Sequence, residues 1–372
     1  MRVLIVTSSG GTAHDAAAYA LRDWLAELRP EVSVQVEHVL ESVSSVYRGG
    51  VELYNWIQRR QPRLHQLYWR FMECEDLWKP RTVLFGRSGL IQLLLQARPD
   101  VLISTHPHLN RGHFDLAKRV LGPGLRCVTS NTELDGGFGF SRNWVSQAAD
   151  LHWTQTEAVS AEVTRRRRSM TRFPAERARC LGPLLYPAFH RAPPPEAAPA
   201  GRLKLVLASG SNGANNHMPL LEQLLPLADR LEVVALCGRR SQVREELEGW
   251  AGRHPRFRLQ ALGFQGPEQM AALYRSAWAH VARPGARTAT EAIVMACPLI
   301  FNCYSTVMPQ ELLAQRYFKA RGLELCIRRP ADLVAIVQEW LDKPEQYNAL
   351  RQLYRQHRLS CDPRQLIDAV LG

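Results

Sequence analysis

Short apolar runs alternate with segments of helical spacing along almost the whole chain. Residues 2–7 form a nearly unbroken apolar run, 14–28 carry apolar residues at helical spacing, and 32–39 alternate like a strand. The runs at 101–104, 126–129 and 151–154 read as further short strands. From residue 204 the theme restarts, with strand-like runs at 204–208, 231–237, 257–261, 279–281 and 299–302. Helical patterns at 219–227, 241–252 and 267–276 fall between them. Continuous apolar strands suit a sheet buried on both faces, and strands separated by helices pair in parallel. The pattern predicts an α/β protein of two doubly wound, Rossmann-like domains facing a cleft.

Prolines and small residues between 183 and 201 mark a semi-rigid linker. The predicted organisation is a first domain at 1–190, a linker at 191–201 and a second domain at 202–345. A helical segment at 346–372 then packs back on the first domain. Each half opens with a strand and a glycine turn: Thr7-Ser-Ser-Gly-Gly-Thr-Ala-His14 and Ala208-Ser-Gly-Ser-Asn-Gly-Ala214. Ligands of such sheets bind at the carboxyl ends of the strands, so both turns are expected to face the cleft. Neither turn completes G-x-G-x-x-G, which argues against a dinucleotide.

The stretch Arg283-Pro-Gly-Ala-Arg-Thr-Ala-Thr-Glu291 follows an apolar run and opens a helical pattern from Thr288. A turn at Gly285 lets backbone N–H groups approach an anion, and a helix start adds partial positive charge. Glu291, one turn in, suits a pair of vicinal hydroxyls such as those of a ribose. Thr288 and Glu291 also fit the spacing of a capping box, which would need no ligand.

Between residues 42 and 78 the alternation breaks. Tyr47, Tyr54, Trp56, Tyr68, Trp69, Phe71 and Trp78 are interleaved with arginines. Amphipathic rings and arginines together suit a membrane interface; an inserted helix pair packed on the domain is the alternative. Arg165, Arg166, Arg167 and Arg168 offer a second anchor for an anionic surface, or simply a solvated face.

Composition narrows the field. The chain has 372 residues, 46% hydrophobic and 22% charged, which fits a globular protein of two domains. No run approaches the ~20 apolar residues that span a bilayer. The N-terminus reads as the first strand of a cytoplasmic protein rather than a signal segment. Eight cysteines are scattered without a C-x-x-C pair, so no zinc site or disulfide framework is expected. The net charge of +12 draws anionic partners. Nucleic acid is not among those expected, because no reading module accompanies the charge.

These motifs together resemble the GT-B glycosyltransferases of the MurG and diacylglycerol-glycosyltransferase group, over most of the chain. Arg283 to Glu291 is similar to the group's R-x-G-A-x-T-x-x-E signature. Ser8-Ser-Gly-Gly-Thr-Ala-His14 resembles its G-G-x-x-H loop. Leu102-Ile-Ser-Thr-His-Pro-His108 resembles the S-x-H-P strand end of the diacylglycerol enzymes, and Pro309-Gln-Glu311 their G-Q-E. Two departures stand out. The family's T-D-x after the fourth strand reads Ser130-Asn-Thr-Glu-Leu-Asp here, displacing the aspartate to Glu133 or Asp135. The diphosphate loop has fewer glycines.

The resemblance implies transfer of a hexose from a UDP-sugar to a lipid hydroxyl such as that of diacylglycerol, with inversion and without metal or cofactor. It implies a protein peripheral on the inner face of the membrane. Ser209, Gly210, Ser211, Asn212 and Gly213 would hold the diphosphate, completed by Gly285, Ala286, Arg287 and Thr288, with Arg283 or Arg287 adding charge. Glu291 would hold the ribose, the Phe264 backbone the uracil edge, and Gln310 and Glu311 the sugar. His14 leads as the base; His106 would orient the acceptor or the sugar, and Glu133 and Asp135 are alternative bases. His108 and His113 are expected to be solvent-facing or structural. Gly11, Tyr54, Trp56, Trp69 and Arg165 to Arg168 would serve acceptor and membrane. A UDP-sugar 2-epimerase, a glycosyltransferase acting on another lipid-linked or natural-product acceptor, and a non-catalytic binder are the competing readings.

Overall fold

The computed structural model describes residues 1–9, 12–60, 83, 85–165, 172–196, 199, 201–208, 217–304 and 307–372. It divides into two compact units. The first comprises Met1–Pro187, Met308–Leu313 and Ser360–Gly372; the second comprises Ala188–Val307 and Ala314–Leu359.

The first unit is built on a parallel sheet of six strands. These are β1 (Arg2–Thr7), β2 (Ser33–His38), β3 (Val101–Ser104), β4 (Arg126–Ser130), β5 (Leu151–Thr154) and β6 (Ala178–Cys180). Their spatial order is β2-β1-β3-β4-β5-β6. Helix α1 (Thr12–Leu28) follows β1, and α2 (Val39–Val43) and α3 (Ser45–Arg60) follow β2. Helices α4 (Arg87–Ala97), α5 (His113–Leu121) and α6 (Glu157–Thr164) complete the cover. β1, β3 and β4 are buried at nearly every position because both faces are covered. One face packs Leu4, Leu102 and Cys127 against Leu94, Phe114 and Trp144. The other packs Val3, Ile5 and Val128 against Leu21, Leu25, Leu366, Ile367 and Val370. The last three come from the terminal helix Pro363–Leu371, so the end of the chain completes the core in which the chain begins. Arg126 secures it by donating to the carbonyls of Ala369 and Val370, at 2.7 and 2.9 Å.

The second unit carries β7 (Leu203–Ala208), β8 (Leu231–Leu236), β9 (Leu259–Leu262), β10 (Ala279–Ala282), β11 (Leu299–Asn302) and β12 (Leu325–Ile327). The order β12-β11-β10-β7-β8-β9 is the doubly wound order 3-2-1-4-5-6 of a dinucleotide-type fold, read from the other edge. α7 (His217–Leu224), α8 (Ser241–Arg253), α9 (Pro267–Ser276) and α10 (Ala286–Val294) alternate with the strands. The proline-rich stretch is tied into this unit by Arg351 and Arg355, which donate to the Pro195 carbonyl at 2.9 and 2.6 Å.

α10 ends on Ala296 at φ +47°, a left-handed conformation that favours glycine. The Cys297 N–H reaches the Ala292 carbonyl at 3.0 Å and the Ala296 N–H the Ile293 carbonyl at 3.4 Å, the pair of bonds of a Schellman stop. Ala296→Gly is therefore expected to stabilise the fold by about 0.5–1 kcal/mol, the lost left-handed penalty less the added chain entropy. A melting temperature raised by roughly 2 °C would report it, and a lowered one would contradict it.

Candidate active site

In a doubly wound sheet the ligand crevice lies where successive strands depart in opposite directions. In the first unit that point falls between β1 and β3, whose registers pair directly. His14, in the first turn of α1, and His106, two residues beyond β3, come from these two strand ends. Their rings meet edge-on, 4.6 Å between centroids. Trp144 lies 5.7 Å from the His14 ring.

The His14 tautomer follows from its partner. Nδ1 lies 2.8 Å from the Thr105 carbonyl oxygen, which only accepts, so Nδ1 carries the hydrogen and Nε2 a free lone pair. Half-buried and packed among rings, the imidazole is pushed down to about 4 by desolvation, only partly offset by the bond to Thr105. It is neutral at pH 7 and competent to take a proton. His106 is held in the opposite sense: its Nδ1 accepts from the His108 N–H at 3.3 Å, which places the ring hydrogen on Nε2. Its carbonyl accepts from Ser104 Oγ and Asn110 Nδ2, each at 3.0 Å. Asn110, fully buried, also bonds the carbonyls of Pro107 and Asn143 and the Thr129 hydroxyl. Burial, then the neighbouring imidazoles, hold His106 well below the ordinary histidine range. His113 is buried and His108 half-buried, both pushed down to about 4 by burial, so of the two alternatives the structural one applies.

Glu133 and Asp135 part company. Glu133 is 8% exposed, and burial pushes its carboxyl up to about 7. Its neighbour Thr132 has its hydroxyl 3.5 Å from His14 Nδ1, so the loop that carries Glu133 adjoins the histidine. Asp135 instead accepts the N–H of Gly136 at 2.8 Å and holds its own loop.

Sequence reasoning passed over Glu41. Its Oε1 accepts from Ser8 Oγ at 3.1 Å and from the Ser9 N–H at 2.6 Å, fixing the entry to the first glycine turn. Asp15 closes the same turn against Thr7 Oγ1 at 3.1 Å and His38 Nε2 at 3.2 Å. No sequence motif marks these contacts; they arise from strand pairing.

Glu311 is 3% exposed, and its Oε2 accepts the Met308 N–H at 2.8 Å. One oxygen of the expected sugar ligand thus braces its own loop, and Gln310 lies half-buried beside it. Gly139, at φ +97°, approaches this segment so closely that a Cβ would lie 2.1 Å from the Pro309 carbonyl oxygen.

In the second unit the switch point lies between β7 and β10, which pair directly. The loop after β10 carries the signature. α10 begins at Ala286 with Gly285, extended at ψ 143°, as its N-cap. Thr288 is therefore inside the first turn, and the capping-box alternative for Thr288 and Glu291 does not hold. The first helical bond runs from the Ala289 N–H to the Gly285 carbonyl, leaving the amides of Ala286, Arg287 and Thr288 ahead of it. Glu291 is 3% exposed, and its Oε1 accepts from Arg287 Nε at 2.7 Å. Arg287, expected on the phosphates, is thus engaged with the acid one turn on. Arg283 is half-buried at the end of β10. Phe264, beyond β9, is 56% exposed with the Arg239 guanidinium 5.1 Å over its ring.

Trp56 is exposed on α3 together with Val46 and Leu53, spaced to share one helix face. Arg165 is exposed, 3.8 Å from the Glu162 carboxylate. Gly11, Trp69, Arg166, Arg167, Arg168 and the loop of Ser209, Gly210, Ser211, Asn212 and Gly213 lie outside the described residues, as does the Tyr54 side chain.

No family model matches the chain. It is 21% identical to the processive diacylglycerol beta-glucosyltransferases of Bacillus pumilus and Bacillus subtilis, over the whole chain and 94% of each relative. Among solved structures it resembles MurG of Acinetobacter baumannii at 16% identity, with a TM-score of 0.61 over 100% of this chain and 99% of that one. The UDP-GlcNAc 2-epimerase of Neisseria meningitidis, bound to UDP-GlcNAc, aligns over both full lengths at 13% identity and a TM-score of 0.55. The fold is that of the GT-B enzymes: two Rossmann-like units, each with its own six-stranded parallel sheet.

Proposed function

We propose that this chain, a glycosyltransferase of the GT-B fold, moves a hexose from a UDP-sugar to a hydroxyl of a lipid acceptor such as diacylglycerol. One observation carries the reading: a buried carboxylate, Glu291, lies one turn inside a helix whose leading amides stand at the switch point of the second sheet. An anion site beside a diol acceptor is what a nucleoside diphosphate requires. The relatives named as diacylglycerol glucosyltransferases support the acceptor class, and the exposed Val46, Leu53 and Trp56 of α3 support contact with lipid.

In this mechanism the acceptor hydroxyl gives its proton to His14 Nε2 while its oxygen attacks the anomeric carbon from the face opposite the diphosphate. The bond from that carbon to the diphosphate oxygen breaks, and the configuration inverts. The charge left on UDP is met by the amides of Ala286, Arg287 and Thr288 and by the loop after β7. Phe264 and Arg239 offer a face and a donor to the base. The reaction as drawn calls on no metal.

The test combines binding with turnover. UDP at about 100 times its Kd stabilises whatever folded unit holds it by roughly 2.7 kcal/mol, so its melting temperature rises, whereas NAD and ATP leave it unchanged. Labelled UDP-sugar with diacylglycerol vesicles yields glycolipid; the nucleotide sugar incubated alone is returned unepimerised. A shift with ATP instead of UDP would end the donor reading. Epimerisation without acceptor would favour the alternative reaction.

A further inference from the structure

The geometry points to Asp15 as a positioning residue for the proposed base His14: it ties the first turn of α1 to the ends of β1 and β2. The inference rests on the mechanism above and deepens it, because it assigns part of the base's effect to a carboxylate that touches no substrate.

Asp15 lies half-buried in the first turn of α1. Its Oδ1 accepts from Thr7 Oγ1 at 3.1 Å and from His38 Nε2 at 3.2 Å. Thr7 and His38 end β1 and β2 and stand opposite each other in the parallel register, so one oxygen bridges two adjacent strand ends. A carboxylate oxygen only accepts, so His38 Nε2 carries a hydrogen in either charge state of the ring, and the bridge survives both. Tyr19, one turn further along α1, lies 6.2 Å from the same ring. His14, one residue before Asp15, leaves the helix about 100° away. It binds the Thr105 carbonyl beyond β3 at 2.8 Å. Thr105 is itself fixed, because its N–H donates to the Val6 carbonyl at 3.1 Å. The first turn of α1 is thus pinned at three strand ends.

Packing alone would index this turn poorly. Among the described side chains from Ala13 to Ala20, the buried ones are Ala16, Ala18 and Ala20; Leu21, Trp24 and Leu25 enter the core only further on. A methyl group buries little area and apolar contact is non-directional, so a row of alanines resists roll and slide weakly. A roll of about 10° at a side-chain radius of roughly 6 Å carries the imidazole about 1 Å. A displacement of that size can cost about 100-fold in rate. Two hydrogen bonds to one Asp15 oxygen, on another side of the helix from His14, oppose the roll. An aspartate in a first turn also stabilises a helix through its dipole, whatever it points at. That ordinary role needs the charge, whereas positioning needs the acceptor oxygen.

Variants of the full chain separate the two. Asp15→Ala removes the bridge and is expected to lower kcat at saturating UDP-sugar by about 10- to 100-fold, while the calorimetric Kd for UDP is kept. Asp15→Asn keeps an acceptor without the charge and is expected to lose no more than about threefold. In the His14→Ala background, Asp15→Ala is expected to cost less than about twofold, because no base remains to be placed. A loss below about tenfold in the single alanine variant would overturn the inference, with His14 as base left standing. So would asparagine as slow as alanine, which marks a charge effect. Equal losses with and without His14 would overturn it too, as general damage to the helix. Should the Asp15→Ala chain not fold, Thr7→Val deletes one donor at nearly constant shape and is read in the same two backgrounds. It is expected to slow transfer about threefold only where His14 is present, and equal effects in both overturn the inference. A wild-type chain without transfer, or one that His14→Ala leaves at full rate, overturns the mechanism and this inference together.

Discussion

His14→Ala is expected to lower the rate of sugar transfer by about a thousandfold while leaving UDP affinity unchanged, since a positioned general base contributes on the order of 10²–10⁴. The split follows from where the residue sits. His14 belongs to the first unit, and the residues proposed to hold UDP belong to the second. What the alanine removes is an imidazole whose Nδ1–H is committed to Thr105 and whose Nε2 is left as acceptor. Asparagine at this position would keep a donor for Thr105 and still lack the base, so His14→Asn should be nearly as slow. That comparison separates the lost proton acceptor from a disturbed loop. Measured kcat with saturating UDP-sugar and a calorimetric Kd for UDP decide the matter. Transfer within tenfold of wild type in the alanine variant would remove His14 from the chemistry.

Much of this arrangement is legible in the sequence, for identifiable reasons. The buried strands read well because a parallel sheet covered on both faces favours nearly unbroken apolar runs, and residues 2–7 and 101–104 match β1 and β3 residue for residue. The strands β6 and β12 escape because they are only three residues long at the sheet edges, too short to register as a pattern. The start of α10 reads two residues late, because Thr288 with Glu291 imitates a cap while Gly285 supplies the real one.

The site divides the same way. His14, His106 and Glu291 are legible because each follows a strand end or lies in a signature. Trp144, Asn110 and Glu41 are not: their roles depend on contacts such as that between His14 and Trp144, across 130 residues of chain.

Glu133 gives the second large effect: wild-type transfer is expected to rise with pH through about 7, and Glu133→Gln to abolish that rise. When His14 takes the acceptor's proton it becomes an imidazolium in a desolvated pocket, a state that its low pKa of about 4 makes unfavourable. A carboxylate within reach would stabilise it, and Glu133 is the buried acid of the loop whose Thr132 hydroxyl lies 3.5 Å from His14 Nδ1. Below about 7 that acid is neutral and gives no such help. The limb in kcat/KM therefore belongs to Glu133, because His14 titrates far below the window. In the glutamine variant the rate at pH 8 should fall by about 10- to 100-fold and become flat from pH 6 to 8. Stability moves the other way. A carboxyl raised in the folded protein stabilises it fully only below the unfolded carboxylate range, and that contribution is lost as pH rises to about 7. Glutamine escapes the loss, so Glu133→Gln should melt higher at pH 8, by a free energy of up to roughly 3 kcal/mol, and equally with wild type at pH 4. An acid limb that survives the substitution would assign the ionisation to another group and leave Glu133 with a purely structural place in its loop.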